Sequence, residues 1–477
     1  MNEMRMAMPH GTQTSIDATA VDAFRERLQG DVLCAGDAGY EAARHVWNGL
    51  IERRPGAIAR CTGVADVIDA VNFAREHGLL VAVRGGGHNA AGLAVCDGGL
   101  VIDLSPMKGI RVDPWARTVQ AQAGVTWGEL DRETQIFALA TPGGVVSTTG
   151  IAGLTLSGGL SWQRRKHGMS IDNLLSADVV TADGGFLRAS EDQNPDLFWA
   201  LRGGGGNFGV VTSFTYRLHE LGPQVMFLAC LYSLDQIRPV LTAWRDFAAS
   251  APDEATVDGL VWGIPAHPAF PDAIHGQPVV AVAGMYAGPA AVGERLFQPL
   301  RSLATPVLDL SGIMPYTVAQ RAYDPFFPEG SLCYYWKSVY LDDMSDEIVD
   351  AVADRAAARS SPRTLLSIRR LQGAISRVPA DATAFGDRSA PFLLSIDSTW
   401  EKAGDSERHI AWTRRFWDDM QGFSHKGMYF GFPGLLEEGE DLLRASYGAN
   451  YDRLARVKKR YDPTNLFRMN QNIKPAE

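Results

Sequence analysis

The stretch Val81-Ala82-Val83-Arg84-Gly85-Gly86-Gly87-His88-Asn89 decides how this chain is read. Residues 79–83 form a short apolar run of strand formers, predicted as a buried strand. Three successive glycines follow. Lacking Cβ atoms, they let backbone N–H groups converge on an anion, so the loop suits a pyrophosphate. His88 then stands beside whatever the loop holds. The spacing is not the GxGxxG that opens a dinucleotide-binding helix. Gly98-Gly99 and a second strand, Leu100-Val101-Ile102-Asp103-Leu104, come next. Taken alone, the stretch fits a tight turn beside a hydrogen-bonded surface histidine at least as well.

Upstream, residues 56–60 read as a strand. Val64, Val67, Ile68, Val71 and Ala74 recur at helical spacing, with Gly78 placed as a C-terminal cap. Residues 21–29 read as a short helix and residues 1–17 as a flexible tail. Downstream, residues 119–123 alternate as a strand, and Thr126 with Glu129 forms a capping box for a helix running to about Phe137. A second glycine-rich region, residues 150–159, holds too many small residues for an ordinary helix or strand. It leaves room for a flat aromatic ring against backbone, or for two closely packed backbones. Residues 177–185 read as a strand and hairpin turn, and Asn194-Pro195 opens a helix. A third cluster, Gly203 to Gly206 with Gly209, feeds an alternating strand over 210–218. Three such clusters in one half of the chain point to a large ligand threaded along backbone.

Past Gly222 the clusters stop. Strands such as 278–283 and 392–396 alternate with helices such as 346–358, giving a second α+β unit with helices on one face of a sheet. Residues 441–460 read as one long amphipathic helix stopped by Asp462-Pro463. The amides of 465–473 lie between Phe467 and Ile473, placed to reach a ring edge. The length of 477 residues suits two large domains. The net charge of -10 argues against nucleic acid as the main partner. No apolar run is long enough to span a bilayer, and residues 1–17 carry no secretory h-region. The 5 cysteines are scattered without a CxxC pair, which argues against a disulfide framework or a zinc site. A cytoplasmic protein is expected, with no metal, nucleic acid or membrane partner.

Several motifs together resemble the berberine bridge enzyme-like flavoproteins of the vanillyl-alcohol oxidase/p-cresol methylhydroxylase superfamily. They are Arg84-Gly-Gly-Gly-His88-Asn89, Gly150 to Gly159, Asp172-Asn173-Leu174-Leu175, the run from Leu197 through Gly209, and Tyr461-Asp-Pro-Thr-Asn-Leu-Phe467. The resemblance implies an α+β fold: a two-part FAD-binding domain of the p-cresol methylhydroxylase type plus a substrate domain whose antiparallel sheet covers the flavin. The division it suggests is a tail and first helix over 1–34, an FAD domain over 35–219, a substrate domain over 220–424 and a completing segment over 425–477. FAD would be held by Arg84, Gly85, Gly86, Gly87, His88, Asn89 and Gly92 in the first loop, and by Gly124. In the second region it would meet Thr148, Thr149, Gly150, Gly153, Leu154 and Gly158. Val180, Asn470 and Asn472 complete the set. His88 stands where the family histidine bonds the flavin 8α-methyl group. Doubly linked members carry a cysteine where this chain has Val146, so a single link through His88 is expected, as in 6-hydroxy-D-nicotine oxidase. His167 and His219 are the rival histidines.

The activity implied is hydride transfer from a small-molecule alcohol or secondary-metabolite C–H to flavin N5, with O2 as acceptor giving H2O2. Amine oxidation, oxidative cyclisation and a flavin carrier without turnover are the alternatives. Tyr429, in Tyr429-Phe430-Gly431-Phe432, is the candidate base. This motif departs from the family's Tyr-x-Asn-aromatic pattern at Gly431, and Phe432 replaces a tyrosine. A tyrosine base needs a nearby cation, for which Lys337 or Arg369 could serve. Strand alternation would put Tyr335 and Lys337 on one face and Tyr334 and Trp336, read as core, on the other. Gln372 is expected at the flavin front.

Overall fold

The computed structural model describes residues 3–424, 427–432, 434–437 and 439–477. The opening stretch ends a four-stranded sheet of order Asp31–Cys34, Ala57–Arg60, Leu100–Asp103, Val81–Arg84. The last three strands are parallel. The helix Val64–Glu76 crosses from the second of these strands to Val81–Arg84, as a parallel pairing requires. Arg84 is buried and forks onto Asp103 of the adjoining strand at 2.6 and 3.0 Å. That pair fixes where the chain leaves the sheet and the glycine loop begins.

A five-stranded antiparallel sheet follows, with Val210–Arg217 between Leu174–Val180 and Thr118–Gln122. Three elements differ from the sequence reading. Residues 3–17 are not a loose tail. Glu3–Ala7 pairs with Gln13–Asp17 because Met6 and Ile16 are buried in the core beneath. Residues 151–156 are helical, despite their glycine content, because Ile151, Thr155 and Leu156 pack inward on one side. The expected helix over 441–460 is two, Gly439–Tyr447 and Tyr451–Tyr461. Gly448 turns the chain at positive φ, and the Asn450 amide donates to the carbonyls of Ala380, Thr383 and Phe385.

One core joins residues from 6–218 with residues from 428–473, so the end of the chain packs into its beginning. The hinge of this closure is a buried ion pair. Lys458 Nζ donates to Asp462 at 2.7 Å and to the carbonyls of Asn207 (2.7 Å) and Phe467 (2.9 Å). Asp462 also accepts from the Leu466 and Phe467 N–H groups. The Asp-Pro-Thr-Asn-Leu-Phe motif is thereby tied to the third glycine cluster.

The middle of the chain builds an eight-stranded antiparallel sheet. The helices Ile237–Ser250, Asp346–Ala357 and Ser406–Met420 pack on one face, against Val257, Val282, Val339, Leu366, Leu394 and Ile396. The opposite face, by the alternation of strands, turns toward the glycine loops. Residue 425, where the expected terminal segment would begin, lies outside the described residues.

Candidate active site

Between the glycine loops and the bare face of the large sheet lies a cavity of about 290 Å³. Gly85, Gly86, Gly87, His88 and Asn89 line it from the first loop. Thr149, Gly150, Gly153 and Leu154 line it from the second region, Gly205, Gly206 and Gly209 from the third, and Asn470 and Gln471 from the terminal segment. Three clusters far apart in sequence therefore meet around one space.

The other expected cofactor residues, Arg84, Gly92, Gly124, Thr148, Gly158, Val180 and Asn472, do not line the cavity. Arg84 is committed to Asp103. At Gly92, Gly124 and Gly158 a Cβ would collide with Ile51, the Leu104 carbonyl oxygen or Phe385. Thr148 reaches His88, Val180 pairs in the five-stranded sheet, and the Asn472 side-chain oxygen is buried. Val146, the position of the absent cysteine, lines the cavity. His167 and His219 stack on each other at 3.8 Å and do not line it.

The residues present fit FAD on two grounds. First, Gly86 and Gly150 touch backbone to backbone, where a Cβ on Gly86 would lie 2.4 Å from the Gly150 nitrogen. Both readings of the second region thus apply, close packing here and open space at Gly153 and Gly206. A Cβ at either of these would meet no protein atom within 4 Å, yet both border the cavity. Second, Tyr323 Oη, Trp336 Nε1, Arg369 Nη1 and Asn470 Oδ1, on residues that line the cavity, are buried without a hydrogen-bond partner among the described residues. Orphaned polar atoms of this kind need a ligand or ordered water. Gly153→Ala should separate space for protein from space for cofactor. The flavin-free chain should gain about 0.5–1 kcal/mol from alanine in a helix, while FAD retention falls. Thermal melting and flavin absorbance of the two proteins check this, and unchanged flavin content would contradict it.

His88 Nε2 lies 2.9 Å from Thr148 Oγ1 and Nδ1 lies 3.4 Å from Thr149 Oγ1. Trp47 stacks on the imidazole at 4.7 Å, and Tyr334 stacks on Trp47 at 3.8 Å. Burial pushes the His88 pKa down to about 3, so the ring is a neutral nitrogen base at physiological pH.

The sheet supplies the facing wall, and here the structure corrects the sequence reading. On Cys333–Leu341 it is Trp336 that lines the cavity, making an edge contact with Phe432 at 5.5 Å. Tyr335 and Lys337 share the opposite, helix-covered face. Tyr335 Oη donates to Glu437, and Lys337 Nζ sits 3.9 Å over the Trp417 ring. Gln372 does not line the cavity and accepts from Arg370. Tyr429 does line it, but its hydroxyl accepts from the Gly159 N–H at 3.1 Å, and burial pushes its pKa up to about 12. A group so reluctant to ionise is a poor base at neutral pH.

A better placed base is Asp397, in the strand Phe392–Trp400, which the sequence reading did not single out. Its carboxyl lines the cavity, is 2% exposed and accepts from Ser395 Oγ. Burial raises its pKa to about 6, with Arg369 opposing the shift. Arg369, from Leu365–Arg370, lines the same wall. Behind it Asp258 is paired with the fully buried Arg164.

A glycine cradle closed by the C-terminal segment, facing a sheet with a buried carboxyl, defines the chain as an FAD-dependent oxidoreductase. Residues 55–190 match the family described as FAD binding domain, and residues 429–474 the family described as berberine and berberine like. The chain is 31% identical to (R)-6-hydroxynicotine oxidase of Paenarthrobacter nicotinovorans, over 94% of this chain and 97% of that one. It is 28% identical to xylooligosaccharide oxidase of Thermothelomyces thermophilus, over 98% and 96%. Its fold is similar to the crystal structure of 6-hydroxy-D-nicotine oxidase from Arthrobacter nicotinovorans, with a TM-score of 0.84, 30% identity and coverage of 94% and 98%. The chain belongs to the berberine bridge enzyme-like FAD-linked oxidoreductases. Among the described residues no helix is long and apolar enough to cross a membrane.

Proposed function

We propose that this protein is an oxidase of a small, largely apolar molecule, with its flavin bonded through His88 alone and O2 as electron acceptor. The observation that carries the reading is the place of His88, which lines the glycine cradle with its ring nitrogens 2.9 and 3.4 Å from the Thr148 and Thr149 hydroxyls, while burial pushes its pKa down. A covalent link needs an uncharged nitrogen to attack an electrophilic carbon, and burial keeps His88 in that form. Val146, in place of a cysteine, supports a single link.

Held by the glycine cradle and the terminal segment, FAD would supply the hydride acceptor, and O2 as the final acceptor would be reduced to H2O2. The chain's own part is to bind, orient and deprotonate the substrate. Trp336, Phe432, Leu365 and Phe327 supply an apolar surface. Asp397 takes the hydroxyl proton as the carbon beside it loses hydride, so an alcohol leaves as a carbonyl compound. The same carboxylate suits an N–H proton, and the similarity to 6-hydroxynicotine oxidase favours amine oxidation as the second reading. A flavin carrier without turnover has no need of a buried carboxyl and guanidinium in the cavity. Oxygen uptake with stoichiometric H2O2 across a panel of alcohols and amines tests the proposal. Flavin bleaching that persists in air, without peroxide, would instead mark a dehydrogenase.

A further inference from the structure

Arg369 is the least satisfied charged group in the cavity wall. It is 6% exposed, and its buried Nη1 has no hydrogen-bond partner among the described residues. Its closest carboxylate, Asp258, stands 3.9 Å from Nε and is already engaged by Arg164. Asp397 lines the same wall without forming an ion pair to Arg369 within 4 Å. The guanidinium lies over the Phe432 ring, 5.3 Å from its centroid, which holds the fork in place beside Trp336 and Leu365. A guanidinium presents five donors in a rigid plane suited to two parallel bonds with a carboxylate. Leaving such donors buried and unmade is unfavourable, so the arrangement makes sense when a ligand completes it.

We propose that Arg369 binds a carboxylate, or a comparable planar anion, on a substrate whose remaining body is flat and apolar. The inference rests on the oxidase reading only in taking this cavity as the substrate site. It narrows the substrate to anionic aromatic alcohols or amines and assigns Arg369 as the residue that selects them. Arg164 occupies Asp258, which leaves the Arg369 fork available to a ligand.

The test titrates the flavin-loaded protein with benzoate and with its neutral counterpart benzamide, following the flavin difference spectrum and tryptophan fluorescence. Benzoate should bind about tenfold or more tightly than benzamide, the scale of one charge-assisted hydrogen-bonded contact. Arg369→Met should abolish the preference and Arg369→Lys should retain part of it, with circular dichroism reporting that each variant folds. If Arg369→Met does not fold, the wild-type preference and its reduction in Arg369→Lys decide. Equal binding of the two probes by the wild type, or a preference that survives in Arg369→Met, would overturn the assignment. A changed flavin spectrum in Arg369→Met with the benzoate preference intact would overturn it too, assigning the guanidinium to the flavin. Failure of the oxidase reading is seen separately, as absence of oxygen uptake with the benzoate preference unaffected.

Discussion

Asp397→Asn is expected to lower kcat by about 10²–10⁴-fold, the usual contribution of a positioned general base, with flavin content and melting temperature close to wild type. Asparagine keeps the shape and still accepts from Ser395, but it cannot take a proton. The pH profile adds a second readout. Asp397 must be ionised to act, and its pKa is raised to about 6. Activity should therefore be complete well above pH 6 and fall as pH drops through it, because the carboxyl becomes protonated. That acid limb should vanish in Asp397→Asn. Steady-state kinetics between pH 5 and 9, on a substrate found by oxygen uptake, measure both effects. Unchanged kcat would remove Asp397 as the base and return attention to Tyr429. Its pKa near 12 would then require activity to rise toward alkaline pH instead.

Lys458→Met should destabilise the fold strongly from outside the cavity. Lys458 and Asp462 are both 0% exposed, and each satisfies backbone groups that hold the terminal segment on Asn207. Methionine keeps an unbranched stem, one atom shorter than lysine, but leaves the Asp462 carboxylate buried without its cation. Breaking one partner out of a buried pair costs about 3–5 kcal/mol. Because Asn470 and Gln471 lie just beyond this clamp and line the cavity, flavin should be lost along with stability. Urea unfolding and the ratio of flavin to protein absorbance check the two together. A variant as stable and as yellow as wild type would show that the terminal segment docks by its apolar residues alone.

The flavin half of the site was legible in the sequence because its requirements are local. A glycine run, a following histidine and a strand before them can be read within ten residues, and the structure brings Gly85 to Asn89 to one cavity. The substrate half was not legible, for three physical reasons. The strand was readable over 392–396, and Asp397 is the next residue; one acidic side chain inside an apolar strand was the available signal. Alternation correctly separated Tyr335 and Lys337 from Tyr334 and Trp336. Which face meets the cavity depends on how the whole sheet packs, and the helices claimed the face of Lys337. Tyr429 reaches the cavity, but its hydroxyl is tied to the Gly159 N–H some 270 positions away, a contact no local pattern reveals. The same holds for Met6 and Ile16, whose burial depends on a core built by later segments. Lys337 and Arg369 are both legible by their charge, but only the fold shows that Arg369 lines the cavity and Lys337 does not.

A flavin bonded once, at His88, should survive denaturation of the chain. Acid precipitation of the purified protein, followed by intact mass under denaturing conditions, tests it most directly. A yellow pellet, a mass increased by one FAD, and loss of both in His88→Ala are expected. Flavin released wholly to the supernatant, with the wild-type chain at its unmodified mass, would contradict it.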